Sequence, residues 1–173
     1  MIQTTEQILP HTASAAEGQR AMMRGFPTGV AVLATIDGSG TPRGMTISSV
    51  CSISLDPPTL MVCLRSGSPT LEAVLDTGLF SVNLLHGEAR PVAELFASGA
   101  PDRFDRVRWE HDASDPHAAG PHLFHDAHAV ADCRVTAQQQ VGDHIAVFGR
   151  TLRVTEFPGH PPLVYGLREY RSW

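Results

Sequence analysis

Several things are scarce in this sequence, and each scarcity removes a class of function. Its 173 residues include 3 cysteines, Cys51, Cys63 and Cys133, none of them in a CxxC pair. An odd count without a framework of spacings excludes a disulfide-stapled scaffold. It predicts free, buried thiols in a reducing compartment, with the cytoplasm as default. Charged residues make up 18% and the formal net charge is -5, so there is no basic footprint for nucleic acid and no polybasic patch for a membrane surface. No apolar run approaches the roughly 20 residues that cross a bilayer. Residues 1–14 have neither a basic n-region nor an apolar h-region, so no secretory leader is expected. No G-x-G-x-x-G opens a helix after a strand, which removes a Rossmann site. No G-x-S-x-G elbow or nucleophilic cysteine setting supports hydrolysis.

What is present reads as one globular domain. Hydrophobic residues are 42% of the chain, an ordinary balance for a packed core. Residues 1–16 are expected to form an N-terminal extension and residues 17–173 the domain itself. A short helix is predicted over 17–24, stopped by Gly25 and Pro27. The β-branched run 30–36 closes on Asp37-Gly38-Ser39-Gly40, a hairpin signal. Further strands are predicted over 43–47, 49–55 and 59–64. Ser68-Pro69 opens a helix that Gly78 ends. A buried strand over 80–85, a helix with Val92, Ala93, Leu95 and Phe96 on its apolar side, and an irregular stretch over 98–122 follow. Two long strands, 129–137 and 145–157, are separated by a turn at Val141-Gly142-Asp143-His144. Many strands joined by hairpins, with few helices, predict a mainly β, antiparallel barrel rather than a βαβ sheet.

Gly44-Met45-Thr46-Ile47-Ser48-Ser49-Val50 places hydroxyls where a core strand would be aliphatic. Such a strand offers donors to an oxygen-rich ligand while its other face is buried, although an edge strand would serve equally. Phe26-Pro27-Thr28-Gly29-Val30 fits a turn by its proline and glycine; it also fits a backbone brought close to a flat ring. Around Arg65-Ser66-Gly67-Ser68-Pro69-Thr70, free amides at a helix start and several hydroxyls fit a phosphate site. A capped helix explains Ser68 and Pro69 without one. Asn83, in the apolar run 80–85, needs partners for both ends of its amide, from the core or from a ligand. Arg90, near the next helix start, is similarly open between a ligand contact and a surface residue. Gly142-Asp143-His144 is a sufficient turn, yet a histidine entering a strand beside an acid also suits a substrate cleft. His125 and His128 have metal-ligand spacing, but no cysteine or spaced carboxylate completes a shell, so a solvated loop without metal is expected.

Taken in order, FPTGVAVLAT, GMTISSVCSISLDPPTL, SGSPT, FSVNLL, DRF and GDHIAVFG make the chain resemble the flavin reductase-like family, the small NAD(P)H:flavin oxidoreductase components of two-component flavin-dependent monooxygenases. The likeness spans residues 17–170. It implies an FMN-binding split β-barrel, antiparallel and Greek-key-like, usually a homodimer with flavin near the subunit interface. It implies cofactor contacts from Pro27, Thr28 and Gly29 and from Thr46, Ile47, Ser48, Ser49 and Val50. The phosphate end falls to Ser66, Ser68 and Thr70, with Asn83, Leu84 and Arg90 nearby. Gly142, Asp143 and His144 are associated with the nicotinamide nucleotide, with His144 as its positioning residue and no residue certain as catalytic. The implied cofactors are FMN or FAD, with NADH or NADPH as co-substrate, and the implied partner is a monooxygenase that receives reduced flavin. A flavin-binding carrier or sensor without reductase activity uses the same site and is the rival reading. One stretch departs from the family pattern: Val164-Tyr165-Gly166-Leu167-Arg168-Glu169-Tyr170 replaces a basic, glycine-containing approach to the final aromatic residue.

Overall fold

The computed structural model describes residues 14–173; the first 13 positions of the expected extension lie outside the described residues. The chain is mainly β with three helices. Helix α1 (Ala15–Arg24) starts two residues earlier than expected because Ser14 and Glu17 form a reciprocal capping box. The strand β1 (Thr28–Gly29) leads into β2 (Ala31–Ile36) and β3 (Pro42–Ile47), which form the hairpin predicted around Asp37-Gly38. Strands β4 (Cys51–Leu55) and β5 (Pro58–Arg65) form a second hairpin. Helix α2 (Pro69–Thr77) has Ser68 as N-cap and Gly78 in the left-handed conformation at its end, as expected. Then come β6 (Leu79–Leu85), α3 (Arg90–Ser98), an irregular excursion over 99–126, and the long hairpin of β7 (Ala127–Val141) and β8 (His144–Glu156). The chain closes with β9 (Leu163–Gly166) and β10 (Glu169–Ser172).

Seven strands form one antiparallel sheet in the order β3-β2-β6-β7-β8-β5-β4. The expected barrel does not close, since no ladder joins the edges β3 and β4. Yet the two edges are consecutive in the chain, linked only by residues 48–50. That link spans at most roughly 14 Å. The edges of a flat seven-stranded sheet would lie roughly 29 Å apart at ~4.8 Å per strand. The sheet must therefore coil until its edges approach each other at residues 48–50. A separate three-stranded sheet, β1-β9-β10, lies beside this seam. Sequence reasoning missed it because its strands are only 2–4 residues long.

Strand β2 separates two cores and is buried on both faces. Its period of two sends Val32 and Ala34 toward α3 and the excursion, where Val92, Phe96, Phe104 and Leu123 meet them. Ala31 and Leu33 point the other way, into a core with Val62, Leu64, Phe80, Val82 and Val147 that α2 covers with Leu71 and Val74. Gly149 is required here: a Cβ on it would lie 2.4 Å from the Phe80 ring.

The irregular excursion is held by buried polar side chains on the sheet. Ser81 Oγ donates to the carbonyl of Pro121 at 2.7 Å. Asn83 Nδ2 donates to the same carbonyl at 3.1 Å, and its Oδ1 accepts from the Leu123 amide at 2.8 Å. Asp132, the register partner of Ser81, accepts from the Ala119 amide and pairs with His122 and Arg153. A loop of this length carries many backbone polar groups, and these contacts satisfy the ones it buries.

Candidate functional site

Two contiguous clefts open at the seam. The first, about 370 Å³, is lined by Pro27, Thr28, Gly29, Ser48, Val50 and Leu84, with Phe26 and Ala31. These residues come from three stretches of the sequence, 26–31, 48–50 and 84. β1 is held by its ladder to β9, where Thr28 faces Tyr165 and Gly29 faces Val164. Gly166 permits the close approach of Pro27, since a Cβ there would sit 3.2 Å from the proline. Leu84 arrives because β6 pairs with β2, and Ser48 and Val50 because they form the link between the edges. The walls are apolar, and Thr28 and Ser48 supply the hydroxyls. Few convergent polar groups in an apolar cleft are what a flat heterocycle requires. The second cleft, also about 370 Å³, shares Phe26, Thr28 and Ser48 and adds Tyr165, Gly166 and Arg168 with three residues of α1.

The stretch from Gly44 to Val50 is not one element. β3 ends at Ile47 and β4 begins at Cys51 rather than at Ser49. Its polar residues therefore have separate surroundings. Gly44 is a packing glycine whose added Cβ would lie 2.9 Å from the Phe104 ring. Thr46 Oγ1 donates to the Ala93 carbonyl at 2.6 Å, which ties β3 to α3. Ile47 is core. Ser49 Oγ accepts from the Cys63 amide at 3.1 Å and donates to the Cys63 carbonyl at 3.0 Å. Ser48 is exposed and lines both clefts.

Asn83 is fully buried, and its amide is spent on Val32, Pro121 and Leu123. Both ends of its amide therefore find partners within the fold. Arg90 is bound to Glu94 at 2.8 Å and sits 5.7 Å above the Tyr170 ring, and it lines neither cleft. Near α2, Ser68 Oγ accepts from the Leu71 amide and Thr70 is buried. Ser66 is exposed, and its amide donates to the Asp143 carbonyl at 2.9 Å. That bond joins two segments 77 positions apart, the start of α2 and the β7–β8 turn. In that turn Gly142 takes φ 59°, the left-handed first position of a two-residue hairpin. Arg65 is the register partner of His144, so their side chains share a face.

His144 Nδ1 lies 2.8 Å from Asp143 Oδ1. The hydrogen bond and charge of His144 hold the Asp143 carboxyl below its ordinary value. An ionised carboxylate only accepts, so Nδ1 carries the hydrogen and Nε2 is the acceptor of the neutral ring. The expectation of buried thiols holds in full only for Cys133; Cys51 is exposed and Cys63 half-buried, because β4 is an edge strand. Among the described residues no group of three or more His, Cys, Asp or Glu side chains is placed to hold a metal. A larger cavity, about 830 Å³, lies elsewhere, under the excursion beside His122 and Arg153. Arg153 pairs there with Asp115 and Asp132, and Asp132 with His122.

Residues not anticipated from sequence are Phe26, Tyr165, Gly166 and Arg168, with Arg20 and Arg24 of α1. A two-residue turn at Leu167-Arg168, without Asn or Gly, carries no hairpin signal, and the arginines of the short helix predicted over 17–24 belong to no recognisable site motif.

The description "Flavin reductase like domain" matches residues 23–173. A flavin reductase (NADPH) of Lentzea aerocolonigenes is 48% identical over 170 residues, covering 98% of this chain and 97% of that protein. A flavin reductase (NADH) of Kitasatospora aureofaciens is 40% identical over 156 residues, covering 88% and 79%. The styrene monooxygenase flavin reductase of Pseudomonas putida S12 superposes with a TM-score of 0.79 at 32% identity, over 90% of this chain and 96% of that one. With the cleft at the seam and these likenesses over nearly all of its length, the chain belongs to the flavin reductase like domain family.

Proposed function

We propose that this protein is an NAD(P)H:flavin oxidoreductase that transfers a hydride from NADH or NADPH to FMN or FAD and passes the reduced flavin to a flavin-dependent monooxygenase. The carrying observation is the cleft of Pro27, Thr28, Gly29, Ser48, Val50 and Leu84, in a chain 48% identical to a flavin reductase. The residues fit the group. Pro27, Val50 and Leu84 offer flat apolar walls, Thr28 and Ser48 offer hydroxyls, and an added Cβ on Gly29 would meet nothing within 4 Å, so a ring can approach the backbone. Likeness to a reductase of a styrene monooxygenase supports the partner class.

The flavin supplies the hydride acceptor, so the protein needs no nucleophile or acid of its own. Its residues bind and orient. Residues 48–50 lie outside both sheets, leaving their amides free to hold the polar edge of the ring, where such donors favour an anionic reduced form. Val50 and Leu84 exclude water from the reacting face. His144, with Nδ1–H fixed by Asp143, presents Nε2 to the nicotinamide nucleotide and positions it without moving a proton. Ser66 and Arg65 lie beside that turn and suit the phosphate end. Ser49, Thr46 and Asn83 support the wall from behind.

We read the coiled, open sheet as a split β-barrel and the protein as a homodimer. Helix α1 buries none of its residues among the described ones, and Met22, Met23 and Phe26 are exposed at its end beside the clefts. Edge strand β4 exposes Ile53 and Leu55 as well. Apolar surface of this kind marks an interface. Free cysteines support a reducing compartment, the cytoplasm. The test is a steady-state assay crossing NADH and NADPH with riboflavin, FMN and FAD. Flavin-dependent nucleotide oxidation is expected; none in any combination would leave a flavin-binding carrier instead. Sedimentation at micromolar concentration tests the dimer, and a monomer mass refutes it.

A further inference from the structure

Arg20 and Arg24 stand one turn apart on α1, so both leave the same helix face. The Leu167 amide donates to the Arg24 carbonyl at 2.7 Å, which ties the β9–β10 turn to the end of that helix. The turn itself consists of Leu167 and Arg168, at φ 51° and 66°. A two-residue hairpin with both central residues left-handed ordinarily uses Asn-Gly. An arginine held in this region is an outlier that invites a functional account. Here it brings Arg168 into the cleft lined by Arg20 and Arg24, next to Thr28 and Ser48.

Three arginines thus line one cleft in a chain of net charge -5. Among the described residues none of the three has a carboxylate partner. The nearby acids are engaged elsewhere: Glu17 caps α1 through Ser14, Glu94 binds Arg90, and Glu169 binds Arg171. Gathered like charges repel, and an anion in their midst relieves the repulsion. The guanidinium fork matches the oxygens of a phosphate. The start of α2 offers a single arginine, Arg65, the register partner of His144, while Ser68 is used as a cap and Thr70 is buried.

We propose that Arg20, Arg24 and Arg168 form a subsite for a phosphomonoester dianion carried by a nucleotide substrate, the 2′-phosphate of NADPH or the 5′-phosphate of FMN. The proposal rests on the flavin reductase reading, which supplies the nucleotides, and names which part of one of them this cleft takes. It makes this chain discriminate between a phosphorylated substrate and its unphosphorylated counterpart.

The test is calorimetric titration of wild type and Arg168→Gly with four ligands: NADPH, NADH, FMN and riboflavin. The glycine removes the guanidinium and suits the left-handed turn, so the fold is not at risk. Expected is a loss of affinity of about tenfold or more for NADPH or for FMN. The counterpart lacking that phosphate stays within about twofold, and the melting temperature is unchanged or higher. A shifted NADPH-to-NADH ratio assigns the 2′-phosphate, and a shifted FMN-to-riboflavin ratio assigns the flavin phosphate. Arg24→Gln should move the same ratio. If neither ratio moves, or if NADH and riboflavin weaken equally, the proposal is overturned. Because the readout is binding, a wild type without turnover would count against the reductase reading and leave this one decided by its own ratios.

Discussion

The hydroxyl of Ser49 holds both backbone groups of Cys63, accepting from its amide and donating to its carbonyl. A single side chain here does what a ladder does elsewhere, and it does so at the gap in the sheet. Ser49→Ala leaves two partly buried backbone groups without a partner and should cost about 1–3 kcal/mol, read as a lower urea midpoint. Ser48→Ala, one residue away, should leave that midpoint unchanged and weaken flavin binding instead. Equal stability losses in the two variants would contradict this division.

Asp132 gives the fold a pH dependence. Burial pushes its carboxyl up, but the hydrogen bonds from His122 and the Ala119 amide, with the charge of His122 and the bond from Arg153, outweigh this and leave it below the ordinary value. A carboxylate lowered in the folded state contributes stability above its unfolded pKa of about 3.9, and that stability is lost as pH falls through the folded value. Urea unfolding should therefore weaken from pH 5 downward. Asp132→Asn should flatten that acid limb. It should also cost about 1–3 kcal/mol at pH 7, because His122 and the Ala119 amide lose a charged acceptor, while Arg153 keeps Asp115. Identical pH profiles for variant and wild type would refute the assignment.

The cysteines should separate by reactivity. Burial pushes the Cys133 thiol up to about 12, and the thiolate is the reactive form. With a disulfide reagent at pH 8, exposed Cys51 should react first and Cys133 only on unfolding. Prompt labelling of Cys133 in the native state would mean that the core behind Phe80 is open.

Gly149→Ala should be severe. Its Cβ would meet the Phe80 ring and lie 3.1 Å from the Cys133 side chain. Overpacking of this kind costs about 1–3 kcal/mol, and thermal melting reads it. A neutral substitution would show that the ring can move aside.

His144→Ala should raise the Michaelis constant for the nicotinamide nucleotide about tenfold, with that for flavin and the melting temperature little changed. The ring is about half exposed and bonded only to Asp143 among the described residues, so the fold does not depend on it. An unchanged nucleotide constant removes its positioning role.

Much of the fold was legible because local chemistry and tertiary packing agree. Ser68-Pro69 and Gly78 bound α2 as their capping chemistry dictates, and Asp37-Gly38 closes the β2–β3 hairpin. The short strands β1, β9 and β10 were not legible. A strand of two to four residues has no measurable period, and a Leu-Arg turn carries no signal. At the site, Pro27, Thr28, Gly29 and Ser48 were named from sequence and do share a cleft. Asn83 was equally suggestive and is a core residue, since a hydroxyl or amide in the sequence does not say which way it faces.

From the sequence alone follow the β class, the hairpins, the helix ends and the family likeness, because each rests on near neighbours or on an ordered set of motifs. Only the tertiary structure decided which hydroxyls are free. In the stretch from Gly44 to Val50, packing claims Gly44, α3 claims Thr46, and strand β5 claims Ser49; of its hydroxyls Ser48 alone is left facing the clefts. Their partners lie 14 to 60 positions away. Contacts at that separation depend on how the whole sheet coils, which no local pattern encodes.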